Sequence, residues 1–373
     1  TLFRSTMPFI GIYAQSIYYV SPHASSGGDG GPATPFHIIH EAVEKARKDK
    51  NCTTIYLREG EYFLDTPLVL TSADGNDSKE LIIRNYPGEK AIISSGITLD
   101  LKWEKYKNGI MRAAVKGNPV MDMLIVNGDL RSMARYPDYD KTAVRFNGTS
   151  ALATVPERVK KWKNPEGGYL HAMHSHDWGD FHYRITGKNE KGELQLEGGW
   201  QNNRPMGIHP ENRMVENIFE ELDAPGEWYY DKQEGWLYYY PLSDENINEL
   251  VFETPQLKNL IEIAGTSSHP VKNITIEGIE LTQTIRTFME HYEPLLRSDW
   301  TIYRGGAVIF RGTEKCTLRD CYIHHVGGNG VFFDKYNRNS AVTGSYLTSI
   351  GASAICFVGD VAGVRSPSFR YGE

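Results

Sequence analysis

Cysteine is scarce in this chain: four residues in 373 (Cys52, Cys316, Cys321 and Cys356), with none in a CxxC pair. Cys316 and Cys321 lie five apart, which fits no zinc pattern, so buried thiols are expected and neither a metal nor a cofactor is. Basic excess is missing too. With 40 Lys and Arg against 47 Asp and Glu, the net charge is −7. That argues against a nucleic-acid partner, which needs a basic stripe. No apolar run is long enough to cross a bilayer. What remains is a chain that is 40% hydrophobic, able to bury a large core, and 12% aromatic with 22 tyrosines, a composition suited to stacking surfaces.

The positive signal is a repeat. Ala307-Val308-Ile309-Phe310, Gly330-Val331-Phe332-Phe333 and Ala354-Ile355-Cys356-Phe357 are short apolar runs beside glycine. Phe310, Phe333 and Phe357 are spaced by 333 − 310 = 23 and 357 − 333 = 24 residues. Leu318 to Val342 spans another 342 − 318 = 24. Interleaved strand signals at one period identify a solenoid whose turns bury their faces only on their neighbours. The runs are too short for helical repeats and rich in β-branched and aromatic residues. The expected fold is all-β, a right-handed parallel β-helix with about 24 residues per coil, each coil rising by ~4.8 Å.

Alternation along the strand points Val308, Val331, Ile355 and the three phenylalanines inward, and turns Ile309, Phe332, Cys356, Arg311, Asp334 and Val358 outward. Leu318 and Cys321 are an odd step apart, so a corner between two sheets is expected at Asp320 and Gly344. Ile276-Glu277-Gly278-Ile279 shows the same break 318 − 276 = 42 residues earlier. The surplus over one coil is an insertion, Thr284 to Tyr303, charged and aromatic, at a coil edge where solenoids place function.

In chain order, residues 1–16 read as the remnant of a secretory signal. The run Met7 to Tyr13 precedes the small residues Ala14 and Ser16, and a secreted or periplasmic protein is expected. Residues 17–98 hold an N-terminal cap and the first coils. Ile39, Ala42, Val43 and Ala46 mark one face of a capping helix, followed by strands at Thr54–Leu57, Leu68–Leu70, Leu81–Ile83 and Ala91–Ile93. Val69 to Ile93 again spans 24 residues. From residue 99 to 253 the period vanishes and hairpin signals replace it, so an inserted antiparallel β domain is expected. Residues 254–373 return to the solenoid, which reads as incomplete at its C-terminus, without a closing cap.

Several segments in order resemble one group of proteins: Tyr18-Tyr19-Val20-Ser21-Pro22, Leu124-Ile125-Val126-Asn127-Gly128, Ala134-Arg135-Tyr136-Pro137, Leu222-Asp223-Ala224-Pro225-Gly226-Glu227-Trp228-Tyr229, and Gly359-Asp360 with Val364-Arg365-Ser366-Pro367. These are the secreted parallel β-helix carbohydrate-active enzymes around glycoside hydrolase family 141. The resemblance implies a polysaccharide or oligosaccharide partner, on fucosylated plant glycans or xylan. It places the catalytic carboxylates in later coils, so it assigns no catalytic residue here.

Hydrolysis of a glycosidic bond needs two facing carboxyl groups. Asp334 and Asp360 are the outward acids of the visible coils, although a cross-coil ion pair with Arg311 also accounts for Asp334 and turn chemistry for Asp360. His324, beside His325 in a glycine-rich turn, is a candidate for binding sugar hydroxyls, with Asn329 and Arg365 in the same groove. Because neighbours on a strand face opposite ways, only one of the two histidines is expected in the groove. His176 and Trp178 form an aromatic platform suited to a sugar face. Three functions fit: a glycoside hydrolase on a plant cell-wall polysaccharide, a non-catalytic glycan-binding or adhesion solenoid, and a polysaccharide lyase, for which the coils show no Lys or Arg base beside calcium-binding acids.

Overall fold

The computed structural model describes residues 15–202, 206–294 and 301–360. The run Met7 to Tyr13, Ala14 and Arg365 therefore lie outside the described residues. Three parallel sheets carry the repeat. Sheet I includes Cys52–Leu57, Leu81–Asn85, Ile274–Glu277, Thr317–Arg319 and Ala341–Thr343. Sheet II stacks Gly60–Phe63, Ala91–Ser94, Glu280–Thr284, Tyr322–Val326 and Tyr346–Leu347, and sheet III stacks Leu68–Leu70, Ile261–Ala264, Val308–Glu314, Val331–Arg338 and Ile355–Val358. The chain visits I, II and III in turn and then begins again, so each strand pairs with its counterpart one coil away. Helix Ile39–Lys48 covers the first coil, burying Ile39, Ala42, Val43 and Ala46.

The register follows the 24-residue spacing. Val308 pairs with Val331 and then Ile355, and Phe310 with Phe333 and then Phe357. Rings of Phe310 and Phe333 stack at 4.6 Å between centroids, and those of Phe333 and Phe357 at 4.3 Å. Phe310 and Phe333 are buried, whereas Phe357, in the last described coil, is 71% exposed. Three details differ from expectation. Ile309, Phe332 and Cys356 are on the outer face as expected, yet they are buried. At Phe332 the neighbouring coil comes close: a Cβ added to Gly306 would lie 3.3 Å from the Phe332 Cβ. The equal spacing of Val69 and Ile93 is coincidental, because Val69 pairs with Glu262 on sheet III and Ile93 with Tyr62 and Leu281 on sheet II. The third concerns the histidine pair and follows from the corners.

From Asn273 onward, every corner is marked by a residue with positive φ. Between sheets I and II these are Gly278, Asp320 and Gly344; where sheet II ends, Gln283, His325 and Ser349; between III and I, Asn273, Lys315 and Asn339. Such residues reverse the pleat in one step, which is how a short coil turns sharply. His325 therefore does not alternate with His324. Their rings lie 4.8 Å apart, with Nδ1 atoms at 3.0 Å.

Both long excursions leave at the same corner, II to III. The first separates Ala91–Ser94 from Ile261–Ala264, and the second separates Glu280–Thr284 from Val308–Glu314. Strands of the first excursion pair antiparallel. Gly96–Thr98 pairs with Phe252–Pro255, which pairs with Leu124–Val126. A five-stranded sheet holds Tyr169–His174 between Ile208–Glu216 and Asp180–Lys188, and Trp228–Asp231 pairs with Trp236–Tyr239. Trp162 and Trp228 are fully buried in their cores.

Candidate functional site

A cavity of about 790 Å³ opens where both excursions meet the II-to-III corners. One wall is coil edge, His325 to Gly327 and Ser349 to Gly351, joined by Arg286 from the start of the second excursion. The facing wall comes from the first excursion, with Asp122, Asp129 to Met133, Arg135, Asp138, Glu216 and Ala224 to Trp228. His325 and Ser349, the positive-φ residues of two of these corners, both line it.

Arg286 joins the two walls. Its Nε donates to Asp122 Oδ1 at 2.9 Å, its main-chain N–H donates to Asp122 Oδ2 at 2.7 Å, and its Nη1 pairs with Glu216. The guanidinium lies 4.7 Å from the Phe288 ring centroid. Burial opposes charge on Arg286, but Asp122 and Glu216 outweigh it and hold its pKa above the ordinary value. Burial would raise the Glu216 carboxyl; Arg286 and His171 outweigh that and hold it well below the carboxylate range.

Behind Glu216 runs a histidine pair. His171 Nε2 is 3.1 Å from Glu216 Oε1, His171 Nδ1 is 2.7 Å from His182 Nδ1, and His182 Nε2 is 3.4 Å from Asp180. Burial lowers the His171 pKa despite Glu216. An ionised Glu216 only accepts, so neutral His171 carries its proton on Nε2, and His182 Nδ1 must be the donor between the rings.

Glu227 is a different kind of acid. It is 3% exposed, and burial pushes its carboxyl up to about 8, with Asp138 and Asp223 adding to the rise against main-chain donors. Its Oε2 accepts from the N–H groups of Asp223 and Ala224 at 3.3 Å each, while the buried Oε1 has no hydrogen-bond partner among the described residues. Arg135 is also buried, at 5% exposure. Its Nε and Nη2 donate to the carbonyls of Pro137, Phe146 and Gly148 at 2.8 to 3.0 Å.

The residues singled out from sequence lie elsewhere. Asp334 is 1% exposed and held between Arg304 Nη1 and Arg311 Nε, each at 2.6 Å, with Glu262 and Glu293 completing the ladder. The expected partner Arg311 is there, and both carboxylate oxygens are engaged. Asn329 does not line a sugar groove and is 4% exposed. Its Nδ2 donates to the carbonyls of Tyr303 and Gly305, and its Oδ1 accepts from the Ser353 N–H, so it pins the corner rather than facing a ligand. Asp360 is exposed after the last described strand.

His324 lies on the outer face of sheet II, 2.9 Å from Glu280 and stacked on Tyr322 at 4.3 Å. Tyr322 stacks in turn on Tyr346 at 5.6 Å. The same outward row carries Glu61 two strands from Glu280, and burial pushes the Glu61 carboxyl up to about 7. This face adjoins the cavity through the contact between His324 and His325. Trp178 is 48% exposed in a hairpin turn, with His174 stacked at 5.8 Å and the His176 ring tilted against it at 5.6 Å. Among the described residues, none of these candidates lines the cavity.

Sequence reasoning passed over Asp122, Glu216, Arg286 and Glu227. Arg286 did carry a signal, since it falls in the charged excursion expected to hold function. No group of His, Cys, Asp and Glu suited to a metal occurs among the described residues, and no helix among them is long and apolar enough to cross a membrane.

No protein-family model matches the sequence, and no curated protein matches it either. The fold is similar to that of a solved glycoside hydrolase, with a TM-score of 0.72 at 20% identity over 88% of this chain. The match spans 65% of the length of that hydrolase. Lower TM-scores relate it to XylC solved with xylose (0.43, 14% identity, 85% of this chain and 41% of that one). They relate it also to a GH136 lacto-N-biosidase from Eubacterium ramulus (0.32, 10% identity, 90% and 34%). At these identities the likeness is one of fold.

Proposed function

We propose that the chain belongs to a secreted carbohydrate-active enzyme, a right-handed parallel β-helix that hydrolyses a plant cell-wall glycan such as fucosylated pectin fragments or xylan. In this reading residues 99–253 form an inserted domain. Right-handed coiling is supported by the strong chiral preference of parallel crossovers, and the likeness to a glycoside hydrolase supports the fold. One observation carries the reading. Both excursions leave the coil at one corner and wall in a cavity of about 790 Å³, the size of a small-oligosaccharide site. Its lining holds two carboxyls of opposite character: Glu227, raised by burial, and Glu216, held low by Arg286 and His171.

The role proposed for these residues is binding and orientation of the glycan. Glu216 is committed to Arg286 and His171, and Asp334 to two arginines, so neither is free to attack or to donate a proton. Bond cleavage is proposed for the full-length protein, because it needs two free carboxyls facing at roughly 5–10 Å. The engaged state of Asp334 also favours, as second reading, a solenoid that holds glycan without cleaving it.

The test is oligosaccharide binding by calorimetry, with product analysis on pectin and xylan fragments, for this chain and the full-length protein. Binding without turnover by the chain, and turnover by the longer protein, is the expected result. Turnover by this chain would make one of its own acids catalytic. Failure of both proteins to bind any glycan would end the reading.

A further inference from the structure

Within that reading, two buried groups in the cavity wall have one feature in common. Arg135 donates through Nε and Nη2 to three main-chain carbonyls, yet its Nη1 has no hydrogen-bond partner among the described residues, and the carboxylates whose charge reaches it, Glu216 first, form no close ion pair with it. A guanidinium that is 95% withdrawn from solvent (5% exposed) ordinarily finds an anion. Glu227 is its counterpart. Oε2 faces two N–H donors, so the proton that burial keeps on this carboxyl sits on Oε1, the oxygen without a partner. Both groups line the same cavity, and each offers a hydrogen-bond donor with nothing to receive it. Asp129 and Asp138, by contrast, are exposed acceptors of the same wall.

We infer that this site selects an acidic sugar, a uronic acid residue. Its carboxylate is received by Arg135 Nη1 and Glu227 Oε1, and its hydroxyls donate to Asp129 and Asp138. A carboxylate has acceptor capacity for both donors at once and brings a counter-charge into direct contact with Arg135, which a neutral hydroxyl does not. The exposed aspartates repel it only weakly, since they act through solvent. The inference rests on the cavity being the glycan site and adds the class of sugar.

The experiment is calorimetry at pH 6 with trigalacturonic acid, its methyl ester and xylotriose. The acid is expected to bind at least about tenfold more tightly than the ester, the size of one charge-assisted hydrogen bond. Raising the pH from 7 to 9 should weaken it as Glu227 loses its proton. Glu227→Gln keeps a neutral donor and leaves the Arg135 carbonyl contacts intact. It should bind the acid within about threefold of the parent at pH 6 and no longer weaken at pH 9, whereas Arg135→Met should lose the preference for acid over ester. Should Arg135→Met fail to fold, the Glu227→Gln profile still decides. Equal binding of acid and ester, or an unchanged pH profile in Glu227→Gln, overturns the inference and leaves the glycan reading standing; absence of binding by any sugar overturns both.

Discussion

Replacing Arg286 with methionine tests the joint between the excursions and the coil. Methionine keeps a long apolar stem over Phe288 and beside Met133, whose Sδ is 3.4 Å from Arg286 Nη2, but it removes the guanidinium from two carboxylates. The side chains of Arg286, Asp122 and Glu216 are 18%, 16% and 12% exposed, so the pair is largely desolvated. Removing one partner of such a pair costs about 3–5 kcal/mol. The loss should depend on pH. In the parent, Glu216 titrates below its unfolded value, so its contribution is present above pH ~4.5 and lost as the pH falls through its folded value. In the variant only His171 still opposes burial, so the Glu216 carboxyl rises and keeping it charged costs more as the pH rises from 5 to 8. Urea unfolding followed by tryptophan fluorescence at pH 5, 7 and 8 measures this. The double variant Arg286→Met/Glu216→Gln should regain about half of the loss, since it removes the stranded charge. A cost below about 1 kcal/mol at pH 7, or an equal cost at pH 5 and 8, would refute a buried triad.

Other expectations follow from single residues. Phe333→Ala removes the middle ring of a three-ring stack and should cost about 3–5 kcal/mol in urea unfolding; a loss under 1 kcal/mol would sink the interior register. Glu227 binds its proton more tightly when folded, so its presence costs stability as the pH rises from 4.5 to about 8, by at most roughly 5 kcal/mol at ~1.4 per pH unit. Glu227→Gln should therefore be more stable than the parent at pH 8 and close to it at pH 5, and equal stability at pH 8 would contradict a raised carboxyl. Gly278 has φ +68, and a Cβ there would lie 2.2 Å from Asn85 Oδ1, so Gly278→Ala should cost about 1–3 kcal/mol. A neutral effect in thermal unfolding would mean that the corner is pliable.

The coil was readable from sequence because it is periodic: Val308, Val331 and Ile355 declare one another at 23 and 24 residues. The corners were only half readable. Gly278, Asp320 and Gly344 look like turn residues, whereas Gln283, Lys315 and Ser349 adopt the same backbone without any favoured side chain. That is why the two histidines were assigned to opposite faces. The cavity had no periodic mark at all. Asp122 and Arg286 are 164 residues apart, and only the folded excursion brings them together. Glu227 stood within a recognised segment, but its burial depends on neighbours that no local pattern encodes.

Antiparallel pairing at the base of the first excursion has a consequence for how the chain reaches this structure. Ala91–Ser94 and Ile261–Ala264 are successive faces of one coil, yet 261 − 94 = 167 residues separate them, where 331 − 326 = 5 separate Val326 from Val331 in a later coil. If the intervening chain were unstructured, that difference would add about 3 kcal/mol of closure entropy, enough to stall a solenoid that grows by nearest-neighbour contacts. Gly96 pairs directly with Pro255, so once this base has zipped, the ends are adjacent and the closure is short again. The excursion must therefore fold before the coil can pass it, making its hairpins a checkpoint in the folding order. A chain with a weakened base should accumulate a half-wound intermediate holding the first coils and an exposed sheet III edge.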